Sequence, residues 1–341
     1  MHGPFPNLPL AHRGAVHCVP HSSGVLRGNI WGDPWRRDVW VYTPPGYEAS
    51  SECYPSVLVL AGFAGTGEGL LARSLTEQSL SSRIDRLIRD GCPPFVAVLP
   101  DVMTRLGGSQ HLDSPAIGRY ATHLMDEILP FIDGRFRTTG RWGVVGRSSG
   151  GYGALHLAMR NPGRLEAVAC HAGDMGFDLC YLSDIPKGLS AIQSAGGPRL
   201  LVEQFWQRRR PSGSMFSALN LLCMSAAYSP DLDAPDFPAR LPVDWRTGVV
   251  DFGVLKGWQA HDPLVLVEHA AAQAALCGLA DLFIDVGARD EHHLHLGARR
   301  LVARLSSLGI AHTYEEFDGG HRGTSYRYDS SLPRLANILT R

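Results

Sequence analysis

The sequence predicts an α/β fold with a mostly parallel central sheet, helices on both faces and an inserted cap. Three observations carry that expectation. Short apolar runs alternate with helical patterns through the first half of the chain and again through its final third. The run Gly143-Val144-Val145 enters a glycine-rich turn, Gly146-Arg147-Ser148-Ser149-Gly150, and then a helical pattern through Tyr152, Leu155 and Leu157. Between two consecutive strand patterns, residues 171–262 form a stretch too long for a simple connection, so it must carry helices of its own.

The elements follow in order. Ala15 to Val19 and Asp38 to Tyr42 read as extended, separated by Gly and Pro turns, and suit the antiparallel edge of a mixed sheet. Ser56 to Ala61 is a continuous apolar run of the kind buried on both faces. It ends in Gly62-Phe63-Ala64-Gly65-Thr66-Gly67, either a plain strand-to-helix turn or a loop that offers backbone N–H groups. Leu80 to Arg89 has Ile84, Leu87 and Ile88 on one helical face, and Phe95 to Leu99 is the next strand. Ile117 to Phe136 is a longer helix that Pro130 is expected to kink. After the strand Leu165 to Cys170 comes the cap, 171–262, whose Phe205, Trp206, Phe216, Tyr228, Phe237, Trp245 and Trp258 suit packing onto the body. Alternation resumes with a helix over Pro263 to Cys277, a strand over Leu282 to Val286 and a helix over Leu294 to Leu308. The strand Thr313 to Phe317 and a last helix complete the chain. The expected organisation is therefore a core of 1–170 and 263–341 with the cap inserted between.

Composition excludes several classes. With 341 residues, 44% hydrophobic and a net charge of -1, the chain has a sizeable core and no broad attraction for nucleic acid or anionic membrane. The amino terminus has no apolar core of signal-peptide length and no later run could span a bilayer, so a cytoplasmic location is expected. Seven cysteines without CxxC spacing read as reduced residues, not a disulfide frame. Nothing decides between monomer and homo-oligomer. Arg208-Arg209-Arg210 reads as a solvated helix end, and His292, His293 and His295 as surface residues, so no metal is assigned.

Gly146-x-Ser148-x-Gly150 between strand and helix has the form of a nucleophile elbow. A serine there needs a base to take its proton and a carboxylate to hold that base. In the α/β-hydrolase arrangement these follow in the order Ser, acid, His, each after a strand, and Ser148, Asp290 and His321 satisfy that order. Asp290 could equally be a helix N-cap, with Asp285 and Glu291 as rival acids, and a lone histidine such as His321 is commonly structural. The backbone N–H groups of Ser149 and of Phe63 or Ala64 are the candidate oxyanion donors.

The chain resembles the esterase family of α/β-hydrolases that includes S-formylglutathione hydrolases, feruloyl esterases, enterochelin esterases and mycolyltransferases. The resemblance runs through Pro44-Pro45-Gly46-Tyr47, Gly118-Arg119-Tyr120, Ile128-Leu129-Pro130-Phe131-Ile132-Asp133, the elbow, Gly287-x-x-Asp290 and Gly320-His321. It implies a nucleophile at Ser148, an acid at Asp290, a base at His321 and oxyanion donors at Phe63 and Ser149. This chain has Ala61-Gly62 where members commonly have His-Gly, and Ser149 where they commonly have Met, and neither change removes a backbone donor. Its oxyanion loop lacks the cysteine of the formaldehyde-detoxifying members, which argues against that substrate. The missing signal peptide argues against the mycolyltransferase role. The expected function is serine carboxylester hydrolysis of a small molecule through an acyl-enzyme, with no cofactor. Acyl transfer to an alcohol and ligand binding without catalysis are the alternatives.

Overall fold

Alternation within the apolar runs explains how one sheet comes to be buried on both faces. In the computed structural model, which describes residues 13–75 and 77–341, eight strands form one sheet. They are β1 (Ala15–Ser22), β2 (Arg36–Thr43), β3 (Tyr54–Leu60), β4 (Val96–Pro100), β5 (Thr138–Arg147), β6 (Ala167–His171), β7 (Asp281–Gly287) and β8 (Thr313–Phe317). Their order is β1-β2-β4-β3-β5-β6-β7-β8. Only β1 with β2 and β2 with β4 pair antiparallel, so the antiparallel edge expected at the start of the chain is present. The other pairs are parallel, which puts the carboxyl ends of β3, β5, β7 and β8 along one side of the sheet.

Successive side chains of a strand point to opposite faces. Val57 and Val59 of β3, with Val145 and Phe283, enter one apolar cluster, whereas Leu58, Leu60, Val144 and Ile284 enter the other. The first face is covered by helix α1 (Leu80–Arg89), through Leu80, Ile84 and Leu87, and by the carboxyl-terminal helix 328–339 through Leu332, Leu335 and Leu339. Each such side chain taken out of water contributes about 1.5–3 kcal/mol.

The other face carries the helical stretch 120–133, called α2, and the elbow helix α3 (Ser149–Arg160). Helix α2 differs from the Ile117 to Phe136 expectation. It starts at Tyr120, because Gly118–Arg119 pairs as a short ribbon with Asp113–Ser114, and it widens into π turns over His123–Ile128. The widening lies directly before Pro130, whose ring would collide with a carbonyl one regular turn back.

Between β6 and β7 the chain forms α4 (Ile185–Ala195), α5 (Pro198–Gln207), α6 (Gly213–Tyr228) and α7 (Phe252–Gln259). Buried residues of this segment, among them Leu219, Leu222 and Trp258 on the helices and Phe237 between α6 and α7, belong to the same apolar cluster as the sheet face below. Arg208, Arg209 and Arg210 are exposed beyond α5, as a solvated helix end should be. The single helix expected from Pro263 to Cys277 is instead a turn at Pro263–Leu266 and helix α8 (Ala270–Cys277), with His269 in extended conformation between them. Helices α9 (Leu294–Ser307) and α10 (Tyr328–Leu339) complete the last third.

All seven cysteines are free, four of them buried. Among the described residues no helix is long and apolar enough to cross a membrane. The signal-peptide reading of the amino terminus falls largely on residues 1–12, which lie outside the described residues.

Candidate active site

Ser148 joins β5 to α3 with φ 59 and ψ −128, a conformation that costs a residue with a side chain about 1–3 kcal/mol. Its N–H donates to the His171 carbonyl at 2.9 Å, which holds the turn against β6. The flanking glycines are required by contact. A Cβ on Gly146 would lie 2.2 Å from the Gly150 oxygen, and one on Gly150 would lie 2.2 Å from the Leu60 oxygen. Gly150→Ala is therefore expected to destabilise the protein by about 1–3 kcal/mol, seen as a lower urea midpoint at unchanged slope.

The loop after β3 lies beside this turn, since a Cβ on Gly62 would be 3.4 Å from that of Ser148. Phe63 follows directly, its ring against Gly107 and Gly108 and edge-on to Phe216 at 5.3 Å. Neither the Phe63 nor the Ser149 N–H has an acceptor among the described residues. Ser149 opens a helix of 12 residues, so its free N–H stands at the positive end of α3.

Asp290 and His321 meet. The loops after β7 and β8 are laced by Ala288 N–H to the Phe317 carbonyl at 2.8 Å and Arg289 N–H to that of Gly319 at 2.9 Å. Across them His321 Nδ1 and Asp290 Oδ2 are 2.8 Å apart, with Asp290 buried at 2% exposure. Burial pushes the Asp290 carboxyl up, but the hydrogen bond and charge of His321, with the His292 and Leu294 N–H donors, outweigh it and hold it below the ordinary carboxylate range. Asp290 is also a cap of the following turn, its Oδ1 accepting the His292 N–H at 2.9 Å. The contact with His321 and the cap use different oxygens of the carboxylate.

The rival acids are otherwise engaged. Asp285 lies in β7 with 1% exposure and binds His171 Nδ1 at 2.6 Å and Arg327 Nε at 2.7 Å. Glu291 accepts the His321 backbone N–H, fixing the main chain of that residue and leaving its ring to Asp290. Of the histidine run, His292 stands edge-on to the His321 ring at 4.8 Å.

The Ser148 hydroxyl makes no hydrogen bond among the described residues. The segments that carry Ser148 and His321 are nonetheless tied together. Arg147 Nη1 donates to Thr324 Oγ1 at 3.0 Å, and that hydroxyl donates to the His321 carbonyl at 3.2 Å. Serine–histidine bonds are commonly long before a substrate is bound.

The family profile described as "Putative esterase" matches residues 34–334. The chain belongs to this esterase family. Two curated esterases of Mycobacterium tuberculosis, Rv1288 and MT1326, are each 28% identical over 312 residues. The alignment covers 86% of this chain and 55% of each relative, so the chain spans about half their length. Among solved structures a ferulic acid esterase gives a TM-score of 0.59 at 18% identity, covering 96% of this chain and 99% of its own. The S-formylglutathione hydrolase of Agrobacterium tumefaciens gives 0.59 at 18% identity, covering 97% and 98%. These structural likenesses bear out the α/β-hydrolase fold.

This esterase-family chain also holds a buried polar network beside the elbow that its sequence did not signal. Ser149 Oγ donates to Asp174 Oδ2 at 3.1 Å, which accepts from Tyr181 at 3.0 Å and from Gln110 Nε2 at 3.3 Å. Gln110 also donates to the Tyr228 hydroxyl at 2.9 Å. Burial raises the Asp174 carboxyl above the ordinary range despite these donors. The network fastens the residue after Ser148 to the segment between β6 and β7.

His111, adjoining that network, lies under α3 with Nε2 3.2 Å from the Ala61 carbonyl, at the root of the Phe63 loop. Burial pushes its imidazole down to about 4 against the opposing hydrogen bond, and burial pushes His156 down to about 3. Between these values and about 6.5 the unfolded chain binds the extra protons, so stability rises with pH. The urea midpoint is expected to be lower at pH 5 than at pH 7.

Proposed function

We propose that this protein is a serine carboxylester hydrolase acting on a small ester through an acyl-enzyme. The observation that carries the proposal is the Asp290–His321 pair at 2.8 Å, at the same side of the sheet as a serine with φ 59 in a nucleophile elbow. In this reading His321 Nε2 takes the Ser148 proton as Oγ attacks the ester carbonyl. The tetrahedral oxyanion is received by the Phe63 and Ser149 N–H groups. His321 then gives the proton to the leaving alkoxide, and in the second half-reaction it activates a water that releases the acid and restores Ser148. Asp290 stays ionised, keeps the hydrogen on His321 Nδ1 and stabilises the imidazolium. These steps need no metal or organic cofactor.

Residues 1–170 and 263–341 are the catalytic core in this proposal, and 171–262 the cap that shapes the substrate pocket. The cap's Phe216 against Phe63 supports an apolar acyl group beside the oxyanion loop. Seven unpaired cysteines go with a reducing, cytoplasmic location.

The test is hydrolysis of a p-nitrophenyl ester series of increasing acyl length. Turnover with a preferred length is expected, and that length measures the pocket. A folded protein inert toward the whole series, with and without an added alcohol acceptor, would overturn the assignment.

A further inference from the structure

We propose a divalent metal site, suited to zinc, formed by His21, His123 and Glu127 at the outer edge of the fold. One donor atom from each of the three lies within 4.8 Å of the other two. His21 is near the end of β1, the outermost strand, and His123 and Glu127 are four residues apart on α2. The site is four places along the sheet from β5, so it is separate from the esterase chemistry.

One of its two distances is a hydrogen bond, between His123 and Glu127, and the other, between His21 and Glu127, is too long for one. Glu127 Oε2 is the hub, 2.8 Å from His123 Nδ1 and 3.6 Å from His21 Nε2. The second separation is beyond hydrogen-bond reach. Tetrahedral zinc with bonds of about 2.0–2.1 Å sets its ligand atoms about 3.3 Å apart, between the two values. His21 Nε2 is buried without a hydrogen-bond partner, an unexpected state for an imidazole nitrogen aimed at a carboxylate.

The surroundings hold the carboxylate ligand in place. Glu127 Oε1 accepts the Gly24 and Val25 N–H groups at 2.7 and 3.1 Å, and Ser23 Oγ donates to Oε2 at 2.5 Å. These contacts fix the carboxylate, the Ser23 hydroxyl through the same oxygen that faces both imidazoles. His21 packs on Phe131 with ring centroids 4.8 Å apart. The π turns of α2 span His123 and Glu127 themselves, and such turns frequently occur at functional sites. Side-chain exposures of 14% for His21 and 17% for Glu127 leave an entry path and a fourth position for water. To ligate, His123 moves its hydrogen from Nδ1, where it meets Glu127, to Nε2, which is buried without a hydrogen-bond partner, and this frees the Nδ1 lone pair without net proton release. Two imidazoles and a carboxylate select a borderline first-row ion over magnesium or calcium.

The experiment is zinc titration of the chelator-stripped full chain by calorimetry, alongside His21→Ala, Glu127→Gln and His293→Ala. One equivalent of zinc is expected to bind, with affinity lowered tenfold or more in the first two variants and unchanged in the third. Cobalt(II) in place of zinc is expected to give visible absorption of a four-coordinate nitrogen and oxygen site, without a thiolate charge-transfer band. No binding by the wild-type chain, or equal binding by His21→Ala, would overturn the proposal. Should Glu127→Gln fail to fold, His21→Ala still decides, because its side chain stands at a strand end.

Discussion

Ser148→Ala is expected to abolish labelling by a fluorophosphonate and to lower kcat for ester hydrolysis by about 10⁶-fold. The size follows from the geometry. The turn between β5 and α3 holds Ser148 beside the loop of Phe63, and the Phe63 and Ser149 N–H groups have no acceptor among the described residues. A methyl group cannot form the acyl-enzyme, and a water in its place would lack the alignment that the turn supplies. Because alanine shares the Cβ already accommodated at φ 59, the urea midpoint should hardly move. A label of undiminished strength would assign the nucleophile elsewhere.

Asp290→Asn is expected to lower kcat by about 10⁴-fold while the protein stays folded. Asp290 Oδ1 accepts the His292 N–H at 2.9 Å, and an asparagine keeps that bond by presenting its carbonyl oxygen there. Its NH2 then faces His321 Nδ1, which must accept, so the ring hydrogen moves to Nε2. A ring protonated at Nε2 cannot take a proton from Ser148. Asp290 has a native value below its unfolded one, so it adds stability above about pH 4 that is lost as pH falls through the native value. The variant should lose that contribution at neutral pH and show less acid dependence. Wild-type turnover would transfer the acid role to another carboxylate. Asp285 is poorly placed to take it, held between His171 and Arg327 inside β7.

What the sequence disclosed and what it concealed divide along physical lines. Val57 to Leu60 announced a strand buried on both faces because every second residue enters a different cluster and all are apolar. The turn at Ser148 and the contact between Asp290 and His321 were legible because the chain order and the strand ends place these residues. Helix α6 could not be delimited, since it is buried almost all round from Ala218 to Tyr228 and so shows no polar stripe. The split near His269 and the π turns of α2 depend on packing that no spacing encodes. Least legible was the set Gln110, Ser149, Asp174, Tyr181 and Tyr228. Its hydrogen bonds join residues up to 118 positions apart, and apart from Ser149, noted for its backbone alone, each member reads as an ordinary polar or aromatic residue.

The backbone at Ser148 has an evolutionary consequence. With φ 59 and ψ −128 the position suits glycine better than any residue with a side chain, so the local energy opposes the serine in every generation. A copy of this gene freed from the demand for turnover would gain stability by mutating to glycine here, and it would keep the rest of the fold. Drift to glycine at this one codon would mark descendants that have lost the proposed activity, and persistence of serine would mark those still under selection for it.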